Sequence, residues 1–372
     1  MITPGQTIGI VGGGQLGRML AQAAQTLGYR VAVFDPNPQC PAASVCHRFQ
    51  PGAYEDAAAL SGFAAGVDVL TYEFENIPAE ALRGAGARVP LRPAAEVLHI
   101  CQNRQREKAW LKAHHFPHAA YAEALDGDVR SAVSEVGLPC VVKTADFGYD
   151  GKGQMRVGDA AELDHAAAIF RGRRCVVERW VDFVCEISVI VAKGPEGEGR
   201  AFPVTENIHT RHILDLSIVP ARVPPAAGRA AEALAIRIAD ALQVVGLLAV
   251  EMFLLPDGQV LVNELAPRPH NSGHWTLDGA ETSQFEQHVR AICELPLGPV
   301  GLRGPIVMAN ILGEAWQGRP PRWNELLQMP EVKLHLYGKD EPRPGRKMGH
   351  FTVRARSAQA GIEQARRLQA LL

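Results

Sequence analysis

The chain has 372 residues, 47% of them hydrophobic, which is enough for two or three domains with large cores. Its formal net charge is −2 and no basic stripe is present, which argues against nucleic acid as a partner. The longest apolar runs fall short of the ~18 residues that a membrane span needs. The N-terminus enters a strand pattern without a basic, apolar leader, and the seven cysteines form no CxxC pair. We therefore expect a reduced, cytoplasmic protein with no membrane association.

The first elements are a strand, a glycine-rich turn and a helix. Thr7 to Val11 is a β-type run, Gly12 to Gly17 has the GxGxxG spacing, and the helical pattern that follows ends at Gly28. A second strand, Arg30 to Phe34, is closed by Asp35. This is the fingerprint of dinucleotide binding in its usual context. A helix N-terminus after glycines also binds other anions, and structural or substrate-binding domains share the fingerprint, so NAD is one of several open readings.

The next strand, Val67 to Tyr72, ends in Glu73. Open α/β sheets bind ligands at strand C-termini, so Glu73 is a candidate acceptor for a substrate amine or hydroxyl; a helix-capping acid is the alternative. Ala94 to Leu111 is typical of a helix and carries Arg104 and Lys108 one turn apart. Basic residues on a helix are usually solvated, so only the wider pattern gives these two weight.

A glycine-rich segment, Gly148 to Gln154, lies between the strand patterns Cys140 to Lys143 and Met155 to Val157. We call residues 148–154 the flap segment. Its bare backbone N–H groups and Lys152 suit a polyphosphate, and Lys143 at the strand end is a second cation. The segment is not a GxxxxGK[ST] phosphate loop, and no helix follows it directly. A hairpin loop with a surface lysine is the alternative.

A strand, a short crossing segment and a second strand follow. The first strand, Arg174 to Arg179, includes Glu178, and Glu186 lies at the start of the second. This order suits an adenine site, in which backbone and apolar groups hold the base and an acid holds the ribose. The polar run Thr205 to Thr210 contains His209, which is placed to reach a ligand.

The stretch from Leu247 to Thr276 predicts a β-hairpin around Pro256-Asp257-Gly258. A two- or four-residue loop places Glu251 opposite Glu264, whereas a three-residue loop places Asn263 there. Facing carboxylates in apolar strands repel unless a hard divalent cation lies between them, and Mg²⁺ held in this way usually shares its sites with nucleotide phosphates. A solvated hairpin with outward acids is the alternative.

After His274 the pattern predicts a helix that runs to Cys293. Two strand patterns follow, Gly304 to Leu312 and Val332 to Tyr337, then the basic loop 339–350 and a final strand, Phe351 to Ala355. The basic loop contains Gly and Pro together with Lys339, Arg346 and Lys347. These cations are typical of a phosphate-binding site. A solvated turn is the alternative.

Five segments together resemble one known family: IGIVGGGQLGRML, VLTYEFENIP, GYDGKGQ, VNELAPRPHNSGHWT and RPGRKMGH. They are similar to the N5-carboxyaminoimidazole ribonucleotide synthetases, a branch of the ATP-grasp enzymes. The resemblance implies an α/β and α+β chain with the ATP-grasp fold. Its parts are a Rossmann-like pre-ATP-grasp domain (1–98), an ATP-grasp domain (99–295, with a flap subdomain at about 117–182 and a nucleotide and metal subdomain at about 183–295) and a C-terminal domain (296–372).

The resemblance also implies a reaction. Bicarbonate attacks the γ-phosphate of ATP, which gives carboxyphosphate and ADP, and the amine of aminoimidazole ribonucleotide then takes the carboxyl group in purine synthesis. Such phosphoryl transfer depends on positioning and charge neutralisation rather than on an enzyme nucleophile. The implied cofactors are ATP and Mg²⁺, and the family's habit is a homodimer.

Site residues follow from the resemblance by motif. The implied catalytic residues are Tyr149, Asp150, Lys152 and Arg268. The implied nucleotide contacts are Arg104, Lys143, Gly148, Tyr149, Asp150, Gly151, Lys152, Gly153, Gln154, Glu178, Arg179, Trp180, Val181, Glu186, His209, Asn263 and Glu264. The implied metal ligands are Glu251 and Glu264, and the implied substrate contacts are Glu73, Asn271, Ser272, Lys339, Arg346 and Lys347. The glycine loop 12–17 would then line the substrate or bicarbonate side.

Two segments depart from the family pattern. Ala145-Asp146-Phe147 replaces a basic, glycine-containing run, which bears on flap mobility, and Arg179-Trp180 is unusual in the adenine segment. Three rival hypotheses remain: a sister ATP-grasp enzyme, an NAD-dependent oxidoreductase and an inactive nucleotide-binding regulator. The intact pair Glu251 and Glu264 argues against the last.

Overall fold

The computed structural model describes residues 1–146, 153–318 and 320–372. In this part of the chain the strands form three sheets, one parallel and two antiparallel. None of the described helices has the length and apolar character that a bilayer crossing requires.

The N-terminal layer is a parallel sheet in the order β3-β2-β1-β4. Its strands are β1 (Thr7–Val11), β2 (Arg30–Asp35), β3 (Arg48–Pro51) and β4 (Val69–Tyr72), accompanied by helices α1 (Gln15–Thr26), α2 (Ala57–Ala64), α3 (Ala79–Gly86) and α4 (Ala95–Cys101). Ile8 and Ile10 enter one apolar core, whereas Val11 enters a second core on the opposite face. Burial of both faces explains why these strands are almost continuously apolar.

The second sheet has the order β5-β8-β6-β7. Helix α5 (Arg104–Ala113) precedes it; its other elements are β5 (Tyr121–Ala124), α6 (Val129–Val136), β6 (Cys140–Thr144), β7 (Gln154–Val157), α7 (Ala160–Ile169) and β8 (Cys175–Arg179). Val142 and Val177 pack into a core that includes residues of α6 and α7. Side chains alternate along a strand, so Lys143 and Glu178 lie on the other face.

The third sheet has nine strands in the order β14-β13-β9-β11-β12-β15-β17-β16, with β10 beside β9. The strands are β9 (Cys185–Lys193), β10 (Gly199–Ala201), β11 (Thr205–Thr210), β12 (Ile213–Val219), β13 (Gly246–Leu254), β14 (Val260–Ala266), β15 (Ile306–Leu312), β16 (Val332–Leu336) and β17 (Lys347–Arg354). The helices are α8 (Pro225–Ala241), α9 (Thr276–Gly279), α10 (Gln284–Ile292), α11 (Trp323–Leu327) and α12 (Ala358–Gln369). Antiparallel pairing of β12 with β15 joins the C-terminal strands to the rest of this sheet.

Helix α10 attaches the N-terminal layer to the large sheet. Phe285, Val289 and Ile292 of α10 share an apolar core with Ile8 and Ile10 of the parallel sheet. The end of β4 lies close to the segment that follows β14, where Glu75 pairs with Arg268.

Two predicted helices are each interrupted. Residues 94–111 form α4 and then α5, and the side chain of Asn103 caps α5 by accepting from Arg106 N at 3.0 Å. The segment after His274 forms α9 and then α10, which Ser283 caps at Glu286 N. The predictions of continuous helices were wrong because both sequences contain internal capping residues. The final strand begins at Lys347, four residues before the predicted Phe351.

Candidate active site

The hairpin of β13 and β14 places two acids opposite each other. Leu255 N donates to Gln259 O, so the turn has three residues, which would place Asn263 opposite Glu251. The register shifts beyond the turn, however, and Asn263 becomes the extra residue of a β-bulge. Glu251 therefore pairs with Glu264. The predicted pairing is present, but the bulge produces it rather than a two- or four-residue loop.

Each of these acids has a basic partner from another element. Glu251 Oε1 lies 2.9 Å from His270 Nε2, and Glu264 Oε2 lies 3.4 Å from Arg104 Nη2. Burial raises the pKa of Glu264, and Arg104 offsets this only in part. Burial acts in the same direction on Glu251, but the attraction of His270, His209 and Lys347 outweighs it and lowers the pKa of that carboxyl. The charge on Glu264 is therefore the less compensated of the two.

The chemistry of the donor set fits a hard divalent cation. Glu251 and Glu264 supply carboxylate oxygens and Asn263 supplies an amide oxygen, which are ligand types that Mg²⁺ accepts. A second group, Glu186, His209 and Glu251, has ligand atoms within 4.8 Å of one another. In that group His209 Nδ1 lies 3.1 Å from Glu186 Oε1, and the attraction of Glu186 outweighs burial to raise the pKa of His209. An ion pair of His209 with Glu186 accounts for this second group.

A buried cluster of two lysines and one acid lies beside the hairpin. Glu178 Oε1 is 3.0 Å from Lys143 Nζ, and Glu178 Oε2 is 3.3 Å from Lys108 Nζ. Lys108 also donates to Asn263 O at 2.9 Å, and Lys143 to Asn263 Oδ1 at 3.4 Å. Burial would raise the pKa of Glu178, but the two lysines outweigh it and lower the pKa to about 2. The cluster therefore links the second sheet to the bulge at Asn263.

The predicted adenine segment crosses from β8 to β9. Arg179 Nη1 donates to Val136 O at 3.0 Å, away from the lysine cluster. Trp180 Nε1 donates to Asp182 at 2.9 Å, and its ring carries the guanidinium of Arg156 at 4.9 Å from the centroid. The two unusual side chains of this segment thus have structural partners. Val181 lies in the connection between the two strands.

The glycine loop 12–17 is filled by side chains of the protein itself. Glu73 accepts from Gly14 N at 2.8 Å and from Gly17 N at 3.2 Å, so it caps α1. Burial raises the pKa of Glu73 to about 7. Asp35 accepts from Gly13 N at 2.6 Å, and a Cβ on Gly13 would lie 2.2 Å from the sulfur of Cys40.

The side chains of Glu73, Asp35 and Cys40 explain why the loop 12–17 has the GxGxxG spacing. The glycines allow two carboxylates and a thiol to approach the backbone, and the amides that a pyrophosphate would need already have acceptors. The capping alternative for Glu73 is therefore what the structure shows, and a substrate contact by this residue stays a prediction.

The segment after β14 supplies further polar groups. Arg268 Nη2 lies 3.0 Å from Glu75 Oε2 of the N-terminal layer. Ser272 Oγ lies 2.8 Å from the hydroxyl of Ser188, in the interior. Asn271 is 8% exposed, and neither of its side-chain polar atoms has a hydrogen-bond partner among the described residues. A buried amide without partners is costly, which is consistent with a ligand contact.

The basic loop 339–350 holds its cations mainly through carbonyl oxygens. Lys339 Nζ donates to Lys347 O at 2.6 Å and lies 5.5 Å from the centroid of the Tyr337 ring. Arg346 Nη1 donates to Glu341 O at 2.8 Å. Lys347 is close enough to Glu251 to act on its pKa, so the loop and the hairpin belong to one site.

Most of the flap segment is not among the described residues. Gly148, Tyr149, Asp150, Gly151 and Lys152 lie outside the described residues. On either side of them, β6 and β7 pair with Lys143 opposite Gln154. Gly153 has a φ of +71°, and a Cβ there would lie 2.5 Å from the hydroxyl of Thr144.

Asp146, part of the first departure from the family pattern, is held by two neighbours. Its carboxylate accepts from Asn103 Nδ2 at 2.6 Å and pairs with Arg174 at 2.8 Å. This acid is therefore neutralised next to the flap segment.

Three residues of the site were missed by sequence reasoning. Glu75 contacts Arg268, His270 contacts Glu251, and Lys108 is only 1% exposed beside Glu178. For Lys108 a signal was present, because positions 104, 107, 108 and 111 form one helical face that includes the buried Leu111. Glu75 and His270 carry no such signal, since their partners come from other domains or distant loops.

Three features define a class of protein: facing acids on a hairpin, two lysines from α5 and β6 around the buried Glu178, and a strand-flanked glycine segment. The described fold and site are those of an ATP-grasp enzyme, a nucleotide-dependent ligase with a Rossmann-like domain before the ATP-grasp domain. Comparisons with known families agree. The ATP-grasp domain family matches residues 109–285, the ribonucleotide synthetase preATP-grasp domain family matches residues 5–102, and the phosphoribosylaminoimidazole carboxylase C-terminal domain family matches residues 306–364.

Individual relatives show which family of ATP-grasp enzymes the chain resembles. The chain is 47% identical over 355 residues to the N5-carboxyaminoimidazole ribonucleotide synthase of Bacillus subtilis, covering 95% of this chain and 92% of the relative. A crystal structure of an N5-carboxyaminoimidazole ribonucleotide synthetase in complex with ADP has a TM-score of 0.95 at 44% identity, over 99% and 97% of the two chains. The Aspergillus clavatus synthase, in complex with ADP and 5-aminoimidazole ribonucleotide, has a TM-score of 0.90 at 31% identity, over 99% of each chain. This chain belongs to the N5-carboxyaminoimidazole ribonucleotide synthase family.

Proposed function

We propose that this ligase uses ATP and bicarbonate to carboxylate the exocyclic amine of 5-aminoimidazole ribonucleotide, in purine synthesis. The observation that carries the proposal is the pairing of Glu251 with Glu264 beside the Lys108–Glu178–Lys143 cluster. A bicarbonate oxygen forms a bond to the γ-phosphorus while the bond to ADP breaks. The amine nitrogen then bonds to the carboxyl carbon, phosphate leaves, and the nitrogen loses one proton.

We assign Mg²⁺ to Glu251 and Glu264, with Asn263 as a neutral oxygen donor. When bound, the ion would neutralise charge on the transferred phosphoryl group. Both acids would then exchange their present basic partners, His270 and Arg104, for the metal. The incompletely compensated charge on Glu264 supports this assignment.

We assign the phosphates of ATP to Arg104, Lys143 and the flap segment. The ammonium group of Lys143 has three N–H donors, so it can keep Glu178 and still donate to a phosphate oxygen. Glu186 would accept from the ribose hydroxyls with His209 beside it, and residues 178–181 would hold the adenine. The nucleotide would thus lie between the second and third sheets.

We assign 5-aminoimidazole ribonucleotide, the substrate that becomes carboxylated, to the space between the N-terminal layer and the segment after β14. Arg268, Asn271 and Ser272 would line it, and Glu73 is the further candidate. Tyr149, Asp150 and Lys152 of the flap segment are assigned to the same substrate by the resemblance. Lys339, Arg346 and Lys347 would bind its 5′-phosphate, which the position of Lys347 near Glu251 supports.

Further parts of the proposal rest on the resemblance. They are a homodimer, a cytoplasmic location, and a division into residues 1–98, 99–295 and 296–372.

The test measures, on the purified chain, whether ADP release is coupled to carboxylation. ADP release should require ATP, Mg²⁺, bicarbonate and 5-aminoimidazole ribonucleotide together, and one ADP should form for each carboxylated product. An equal rate of ADP release with and without the ribonucleotide would identify a sister ATP-grasp enzyme instead. Tight binding of NADH, followed by its fluorescence, would favour the oxidoreductase hypothesis.

A further inference from the structure

Glu75 is held firmly in place at the junction between the N-terminal layer and the ATP-grasp domain. It follows β4, and Gln102 Nε2 donates to the carbonyl oxygens of both Glu75 and Ile77, each at 3.0 Å. These two bonds fix the backbone on both sides of the loop. The side chain is 21% exposed. A residue held in this way presents its carboxylate in a defined position.

The two oxygens of this carboxylate have different environments. Oε2 lies 3.0 Å from Arg268 Nη2, and the same guanidinium donates through Nη1 to Pro269 O at 3.0 Å. Oε1 is buried and has no hydrogen-bond partner among the described residues. A buried carboxylate oxygen without a donor is costly, and such an atom in a native structure calls for a missing ligand.

The pocket that Glu75 lines carries an excess of acid. Glu264 and Glu107 line it too, and Arg104 is the cationic side chain among its lining residues. Three carboxyl groups and one guanidinium line the pocket, and Arg268 pairs with Glu75 from behind it, so the acids still outnumber the cations and disfavour a second anion next to Oε1. The ligand group that suits Glu75 Oε1 is therefore an N–H donor without negative charge.

We propose that Glu75 binds the amino group of 5-aminoimidazole ribonucleotide. Its Oε1 would accept an N–H from that amine while Arg268 holds Oε2. This inference rests on the proposed function. Among the reactants, neutral N–H donors occur on the adenine of ATP and on the aminoimidazole ring. The adenine is assigned to residues 178–181, so the aminoimidazole amine is the donor that remains for Oε1. A hydrogen bond from the amine to a fixed carboxylate orients the nitrogen for attack on the carboxyl carbon.

Glu75→Gln gives the sharpest test. Arg268 would claim the amide oxygen, so the NH₂ group would occupy the position of Oε1 and face the substrate amine, donor against donor. The probes are 5-aminoimidazole ribonucleotide, through its KM, and the imidazole ribonucleotide that lacks the amino group, through its inhibition constant. We expect the KM for the substrate to rise at least tenfold, and the inhibition constant of the amine-free analogue to stay within twofold of wild type.

Glu294→Gln is the matched control. Glu294 pairs with Arg92 at 2.6 Å across the same domain junction, away from the pocket. This variant should leave both constants unchanged. Should Glu75→Gln fail to fold, Glu75→Asp keeps a charge for Arg268 while shortening the side chain, and it should show the same selective loss.

The outcomes separate the two hypotheses. A wild-type chain that does not turn over the aminoimidazole ribonucleotide refutes the proposed function. A wild type that does so, with equal weakening of substrate and analogue in Glu75→Gln, refutes the role of Glu75 alone. A raised Mg²⁺ requirement in that variant would make Glu75 a metal ligand and likewise overturn the inference.

Discussion

At the scale of single residues, the site is built from charges that are paired rather than free. Glu178 stays ionised in the interior because two lysines approach it, and Glu251 stays ionised because His270 does. A buried charge that loses its partner costs several kcal/mol, so these pairs fix the side chains of the site before any ligand arrives. Of the two hairpin acids, Glu264 has the weaker compensation, so a metal would replace its basic partner more easily than that of Glu251.

Glu264→Gln tests the metal assignment. The amide has the same shape but no charge, so the fold should remain intact while kcat falls by about 10²-fold or more, equivalent to roughly 2.7 kcal/mol of lost transition-state stabilisation. Steady-state ADP release and a thermal melt measure the two quantities. Near-normal turnover with an unchanged melting temperature would remove Glu264 from the metal site.

At the scale of elements, the glycine loop 12–17 shows how one motif can serve a different purpose. Strand, turn and helix could be predicted from the sequence, because the spacing of apolar residues and glycines is local. The occupants of the loop could not, since Glu73 lies 59 residues from Gly14. The motif alone therefore leaves dinucleotide binding and internal capping equally open.

The same limit applies to the metal hairpin. The two strands and their acids follow from the sequence, but the bulge at Asn263 does not, because it depends on how β14 meets Lys108 and Lys143. The interruption at Asn103, in contrast, follows a capping signal that the sequence contains.

Gly13→Ala tests the packing of the glycine loop. The added methyl group would lie 2.2 Å from Cys40 Sγ and 3.0 Å from its Cβ, so the neighbours must shift. We expect a loss of about 1–3 kcal/mol in the free energy of unfolding, measured by denaturant titration.

Gly62→Ala is the control for that measurement. Gly62 lies inside α2 with no atom within 4 Å of an added Cβ, and alanine is the better helix former there. This variant should be neutral or slightly stabilising. An equal loss in both variants would contradict the account of the loop.

At the scale of the whole molecule, the buried acids make stability depend on pH. The pKa of Glu73 is about 7 in the folded chain and 4.5 as its reference value, so the folded state holds a proton that the unfolded state has lost. The stabilisation is complete below pH 4.5 and is lost as pH rises towards 7.

Glu73→Gln should remove this part of the pH dependence. The slope of unfolding free energy against pH between about 5 and 7 should become flatter, by roughly 1–3 kcal/mol over that interval. Urea titrations at several pH values measure it, with Glu55→Gln on the exposed surface as the comparison. An unaltered slope in Glu73→Gln would mean that Glu73 does not carry the proton.

The pairing of β12 with β15 has a consequence for how such a chain can be divided. β12 and β15 pair within one continuous sheet, although they lie on opposite sides of the domain boundary proposed at residue 296. Removal of the C-terminal strands would leave β12 as a bare edge, open to self-association with other copies. Residues 296–372 are therefore not a module that can be removed. A gene shortened or recombined at residue 296 would yield an insoluble fragment, although it would still encode every residue of the metal hairpin.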